Sequence, residues 1–412
     1  MLIAWLAAAA VTPPGLVAPD RLTASAGNQY LGAEAPTGEL YFTSDQASTT
    51  QIYVQDRPGG VARLAFDEVA DVAWPRPSPD GKHLLYISYR EDAAGDVCVR
   101  DIGGGPGARS YGPRRCLTGP DTAELQAAWF PDGRAIAVVT RRGLHGDLEL
   151  RRLGLDGQLG ARLADGNAAS PAVSPDGRWL ATVPVARAST EIGPSFLGHS
   201  AGALAIVPVG GGAPVVAALE LPGASAMPAF SADGKWLYFT QFLNDTNFDG
   251  AIDANDHGVL FRAPFAAGAL GAPEQLSSAR WSCQYPAPTA TRLIATCQVG
   301  QVLDVFALPL TGAVPPSWRA AAAAASAGKA DPATDPIADE LDADRDRWDR
   351  LLLYAQLGAT AAVERAMVRL HLELGEYESA RFYASRLERR EPAAGAALRE
   401  LADQRTAERA LT

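Results

Sequence analysis

The stretch Ser78-Pro79-Asp80-Gly81-Lys82, followed by the apolar run Leu84-Leu85-Tyr86-Ile87-Ser88, reads as a tight turn opening into a strand. Pro presets φ, Asp accepts hydrogen bonds from the backbone ahead of it, and Gly takes the positive φ that a tight turn needs. The chain repeats the stretch as Phe130-Pro131-Asp132-Gly133-Arg134, Ser174-Pro175-Asp176-Gly177-Arg178 and Ser231-Ala232-Asp233-Gly234-Lys235. A β-rich run follows each: Ile136 to Thr140, Trp179 to Val183, Trp236 to Thr240. Repetition at roughly fifty residues is the mark of a repeat architecture, here one built from strands.

A second periodic signal accompanies the first. Six short strands of "basic or polar, Leu, small" type recur: Arg21-Leu22-Thr23, Arg63-Leu64-Ala65, Cys116-Leu117-Thr118, Arg162-Leu163-Ala164, Ala218-Leu219-Glu220 and Gln275-Leu276-Ser277. Between turn and Leu strand lies a further strand, such as Gln51-Ile52-Tyr53-Val54 or Leu303-Asp304-Val305-Phe306. Two units keep this pattern without the turn motif, at Ala35-Pro36-Thr37-Gly38 and Pro286-Ala287-Pro288-Thr289. Each unit holds four strands, and the count predicts a mainly β, six-bladed propeller over 19–312. The last unit lacks an outer strand, whereas the chain begins with an orphan one. The N-terminal strand is therefore expected to complete the last blade and close the ring, leaving only short edges.

These residues carry a resemblance. The Trp/Phe-Ser/Phe-Pro-Asp-Gly-Lys/Arg turn, the Ile-Tyr-Val strand and the Arg-Leu-Thr strand resemble the TolB-type, WD-like six-bladed propellers. The resemblance implies the fold, and a non-catalytic role in binding proteins of the bacterial envelope.

Composition narrows the function classes. The net charge is −11 across 412 residues, and no basic patch stands out, which argues against nucleic acid as a partner. Residues Met1 to Val11 form an apolar run too short to span a bilayer, and 1–18 resembles a secretory signal without its basic flank. A disordered apolar tail is the alternative. The expected location is periplasmic or extracellular, with no transmembrane segment in the mature chain. Cys98 and Cys116 fall on the third and fourth strands of blade two; Cys283 and Cys297 fall on the first and second strands of blade six. Neighbouring strands bring such pairs within disulfide reach, and two disulfides fit an oxidising compartment. Four buried thiols are the alternative reading.

Beyond the propeller, 313–335 is a Pro/Ala-rich linker, and 336–412 carries apolar residues at helical spacing. Glu364 to Pro392 resembles one tetratricopeptide unit, with Gly375 and Tyr377 at the inter-helix turn, Ala380, Ala384 and Leu387 in the second helix, and Pro392 terminating it. Helices at Ala338 to Leu357 and Ala394 to Ala410 are expected to flank it. Such a domain is either a solvated helical appendage or a peptide-binding groove.

The sharpest site reading lies in blade five. In Asn244 to Asp256, oxygen side chains fall at loop positions one (Asp245), three (Asn247), five (Asp249), nine (Asp253) and twelve (Asp256). Gly250 sits at position six, Ala251 would offer its carbonyl at seven, and Ile252 would pack inward at eight. This is the spacing that a Ca²⁺ ion needs, and Asp at position twelve makes the loop resemble a dockerin more than a sensor EF-hand. No helices flank it, so the expected role is structural.

Gly198-His199-Ser200-Ala201-Gly202 matches a serine-hydrolase elbow, but a strand rather than a helix is expected after it. A hydrolase or lyase using Ser200, His257 or acids and histidines in the channel is the alternative to a binding protein. His83, His145 and His371 have no partner at metal-ligand spacing.

Overall fold

The computed structural model describes residues 20–25, 27–91, 93–120, 122–141, 147–185, 201–210, 213–219, 221–243, 246, 252–277, 282–299, 302–310, 361–374 and 377–409. Six antiparallel sheets follow one another along the chain and form a six-bladed β-propeller. From the inner strand outward, blade one comprises Gln29–Glu34, Leu40–Ser44, Gln51–Gln55 and Ala62–Leu64. Blade two comprises Val72–Pro77, His83–Ser88, Asp96–Gly103 and Arg115–Cys116; blade three comprises Ala123–Trp129, Ala135–Arg141, Leu148–Gly154 and Leu159–Arg162. Blade four comprises Ala168–Val173, Trp179–Pro184, Ala205–Pro208 and Val215–Val216; blade five comprises Ala224–Phe230, Trp236–Phe242, Gly258–Ala266 and Glu274–Gln275. Blade six takes Ser282–Pro288, Arg292–Val299 and Val302–Pro309 from its own segment.

The fourth strand of blade six is Asp20–Arg21, antiparallel to Val302–Pro309 with Asp20 opposite Ala307 and Arg21 opposite Phe306. The first and last strands thus close the ring, as the repeat count requires. Closure rests on polar contacts as well as the ladder. The buried Asp304 carboxylate accepts from Arg21 and from Thr23 Oγ1 at 3.0 Å, and Thr23 Oγ1 accepts from Val305 N at 2.9 Å.

The second strand of each blade centres on a continuous apolar run because both faces of the blade are buried. In blade two, Leu84 and Tyr86 pack toward blade one, while Leu85 and Ile87 pack toward blade three. In blade five, Leu237 and Phe239 join blade four, and Tyr238 joins blade six. Hydrophobic clusters accordingly lie between adjacent blades, the last of them joining Ile294 and Val305 to Leu40 and Phe42.

The repeated turn holds itself. Ser78 Oγ donates to Asp80 Oδ1 at 2.6 Å and accepts from His83 N at 2.9 Å; Asp80 Oδ1 also accepts from Lys82 N at 3.1 Å. The same contacts recur at Ser174–Asp176 and Ser231–Asp233. They pull the Asp176 carboxyl down to about 2, with the Ser174 hydroxyl the main cause. Gly81, Gly133, Gly177 and Gly234 all take φ between 65° and 69°, the left-handed region that glycine enters freely.

The outer strand of blade four differs from expectation. It is Val215–Val216, upstream of Ala218-Leu219, and Leu219 instead packs between blades four and five. The short outer strand pairs only where Ala205 and Ile206 face it, and the Leu serves as an inter-blade plug.

Three helices follow: α1 (Ala361–Leu374), α2 (Tyr377–Glu388) and α3 (Pro392–Arg409). Val363, Ala366, Met367, Ala380, Tyr383, Ala384 and Ala402 form their common core. Buried Glu364 receives Arg386 and Arg390, each at 3.1 Å. Pro392 opens α3 rather than merely ending α2: at a first helical position its missing N–H costs nothing. Residues 1–19 and the expected 338–357 helix lie outside the described residues.

Candidate functional site

The inner strands line the propeller axis, and every one carries an irregular register against its second strand. In five blades a non-glycine residue at the irregularity takes a left-handed φ: Leu31 (58°), Trp74 (63°), Ser170 (51°), Met227 (54°) and Tyr285 (57°). The first four stand four residues before the first turn residue and Tyr285 stands four before Thr289; in four blades proline follows: Pro75, Pro171, Pro228 and Pro286. Proline has no ladder N–H to give, so it is tolerated in a strand at a bulge. Non-glycine residues in this region cost about 1–3 kcal/mol each, so the surrounding structure must over-determine them.

Blade three lacks that proline and the left-handed residue, and it supplies acceptors instead. Ala127 O accepts from Trp74 Nε1 at 3.1 Å, and the Gln126 side-chain oxygen accepts from Ser170 N. Leu31 N, in turn, donates to Thr296 Oγ1 of blade six at 2.9 Å.

The bulges send side chains across the axis. Trp74 and Tyr285, from blades separated by blade one, meet edge to face with ring centroids 5.9 Å apart. Leu31 packs with Trp74, and Met227 with Tyr285. These residues plug the channel. On the turn side of the plug remains a recess of about 220 Å³, bounded by the C-terminal halves of the inner strands. Ala128, Ala172, Ala229 and Ala287 keep its walls thin. Trp129 Nε1 donates to Arg76 O at 2.8 Å, which fixes a second indole in the lining. Arg76 is the one charged side chain among the described residues that line it.

The blade-five loop sits at the other end of the axis. Of its sequence-predicted ligands, Asp245, Asn247, Asp249 and Ala251 lie outside the described residues. Asp253 and Asp256 are described, and the structure brings Asp256 to the neck. Its buried carboxylate accepts from Thr246 N at 2.5 Å and Thr246 Oγ1 at 2.9 Å through Oδ1, and from Asp253 N at 2.9 Å through Oδ2. The two ends of the loop are thereby held together. Ile252 does not pack inward: it is 39% exposed. The apolar anchor is Ala254, which packs with Ala226, Met227 and Phe242. Gln284 Nε2 donates to Asp256 O at 3.2 Å, so the neck rests on the residues next to the plug.

A third polar locus is Glu124, buried where blades two and three meet. Burial pushes its carboxyl up to about 7, against the opposing hydroxyls of Thr118, Thr122 and Thr140. His257 lies beside Asp256, and burial lowers its pKa.

All four cysteines are paired as read, Cys98 with Cys116 and Cys283 with Cys297, each pair directly opposite on neighbouring strands. The hydrolase-like residues 198–200 lie outside the described residues. The plug and the recess escaped the sequence reading. The signal was present in four blades, as the X-Pro pairs Trp74-Pro75, Ser170-Pro171, Met227-Pro228 and Tyr285-Pro286 in the inner strands.

The chain matches no family model. Over 134 residues, 32% of its length, it is 32% identical to an uncharacterized protein of Agrobacterium fabrum, and spans 42% of that protein. Among solved structures it is similar to TolB from Acinetobacter baumannii, at 20% identity and a TM-score of 0.42, covering 62% of this chain and 59% of that one. It is also similar to the calcium-binding protein regucalcin from Agrobacterium tumefaciens, at 14% identity and a TM-score of 0.45, covering 71% and 93%. Oligogalacturonate lyase from Vibrio parahaemolyticus stands at 10% identity and a TM-score of 0.44, covering 71% and 93%. None of these likenesses assigns a function to this chain.

Proposed function

We propose that this chain is an exported, non-catalytic propeller that binds or scaffolds protein in the bacterial cell envelope. The observation that carries export is the pairing of every cysteine across adjacent strands, which suits an oxidising compartment. The signal-like 1–18 segment agrees with it, and no helix among the described residues is long and apolar enough to cross a membrane. Protein binding rests on the motif resemblance and on geometry: radial repetition presents two broad faces, and the C-terminal helices share a core of their own. The partner would be held by a propeller face, by the helices, or by both.

Blade five is proposed to hold a structural Ca²⁺ through Asp245, Asn247, Asp249, the Ala251 carbonyl, Asp253 and Asp256. Support comes from the ligand spacing and from Asp256 drawing residues 246 and 253 together at the neck. A bound ion there would stiffen the loop over the plug.

The test is site-specific photo-crosslinking in intact cells from Lys82 and Lys235 on the turn face, from Asn255 on the other face, and from Phe382 on α2. A discrete protein adduct from one of these sites, in a periplasmic fraction with all thiols oxidised, supports the reading. Cytoplasmic protein with free thiols, or no adduct from any site, sinks it. Calcium is tested by itself, through the thermal midpoint with Ca²⁺ and with EGTA beside Asp249→Ala.

A further inference from the structure

The recess on the turn side of the plug contains a cation with no counter-ion among the described residues. Arg76 is half-buried, with its guanidinium carbon 4.7 Å from the centre of the Trp74 ring. Nη1 donates to Pro75 O at 3.0 Å and to Leu31 O at 3.5 Å. Nε and Nη2 donate to nothing among the described residues, and no carboxylate there reaches the group. Burial draws its pKa down to about 10, so it stays cationic at neutral pH. A guanidinium partly withdrawn from water with only carbonyl acceptors leaves its charge unpaired, and such groups are ordinarily paired.

A second polar group in the same recess is also unsatisfied. Ser170 is 5% exposed, its Oγ has no hydrogen-bond partner, and it is held in the left-handed region at φ 51°. Nothing in the packing of blade four uses that hydroxyl. The walls, by contrast, are fixed, since the indoles of Trp74 and Trp129 both donate to main-chain carbonyls.

We propose that the recess is a receptor for a small carboxylate carried on a flat, ring-sized apolar body. The Nε–Nη2 edge of Arg76 matches the two oxygens of a carboxylate side by side. The half-buried Trp129 indole offers an apolar wall for the ring, and Ser170 Oγ takes a polar substituent. Size sets the limit: an apolar cavity of roughly 150 Å³ accepts benzene, and the recess measures about 220 Å³. That is room for a ring and a carboxylate, while the plug stops anything longer from threading through. The inference goes beyond envelope binding and stands without it, because it rests on recess residues alone.

The test titrates the full chain with 4-hydroxybenzoate and with the neutral 4-hydroxybenzyl alcohol, read by calorimetry and by the Trp indole N–H resonances. The acid is expected to bind at least about tenfold more tightly than the alcohol. Arg76→Gln should abolish that preference, and Arg76→Lys should keep part of it. Equal binding of acid and alcohol overturns the proposal, as does a folded Arg76→Gln that keeps the preference. Should Arg76→Gln not fold, the wild-type resonances decide: no shift of the Trp74 and Trp129 N–H signals at millimolar acid overturns it too.

Discussion

Trp74 of blade two and Tyr285 of blade six meet edge to face at 5.9 Å, although blade one lies between their blades. The contact spans the propeller axis, and left-handed backbone at both residues makes it. A channel that the repeat alone would leave open is therefore blocked. What remains is a recess on one face and a loop neck on the other, with the plug between.

Removing either ring should be expensive. Trp74→Ala and Tyr285→Ala are each expected to cost about 3–5 kcal/mol by cavity formation, measured by denaturant unfolding. The double mutant should fall short of the sum by about 0.5–1.5 kcal/mol, the range for aromatic pairs. Strict additivity would mean that the rings do not support each other.

Glu124 should make stability depend on pH. Its folded carboxyl titrates near 7, above its ordinary value of 4.5. Between these values the folded state holds a proton that the unfolded state has lost, so stability is greatest below the lower value. It should decline, by on the order of 2–3 kcal/mol, as pH rises from about 4.5 to 7. Glu124→Gln should flatten that part of the profile. An unchanged slope in the variant would place the titrating group elsewhere.

Ring closure hangs on Asp304. With Asp304→Ala, Arg21 and Thr23 lose their shared acceptor, and a loss of about 2–3 kcal/mol is expected. The N-terminal strand should then become the first site of limited proteolysis. Cleavage appearing first in another blade would contradict this.

Reduction should loosen blades two and six. The disulfides close segments separated by 18 and 14 residues, and each loss is expected to cost about 2–4 kcal/mol. Thermal unfolding of Cys98→Ala/Cys116→Ala and Cys283→Ala/Cys297→Ala, with and without reductant, separates the two. Reductant should move the midpoint of each variant only through its remaining bridge.

The sequence by itself determined the repeat, the blade count, the closing strand and the cysteine pairs. Those features follow from local chemistry: a Ser-Pro-Asp-Gly turn closes on its own side chains, and a strand buried on both faces centres on a continuous apolar run. Alternation also settled which strands neighbour each other, and hence which cysteines could meet. The sequence placed the loop of blade five but not its anchor, because position eight of a ligand loop invites an inward Ile252, whereas the buried apolar residue there is Ala254. Nor did it foresee that Pro392 would begin a helix, since proline ends one helix and starts the next with equal ease. The plug and the recess were decided by tertiary structure alone. A left-handed residue before proline is disfavoured locally and exists only because six inner strands converge on one axis. There the bulges find acceptors from other blades, at Ala127 and Thr296, and turn Trp74, Met227 and Tyr285 inward. Contacts between blades two and six have no signature in either segment, and it is those contacts that leave Arg76 facing a cavity without a counter-ion among the described residues.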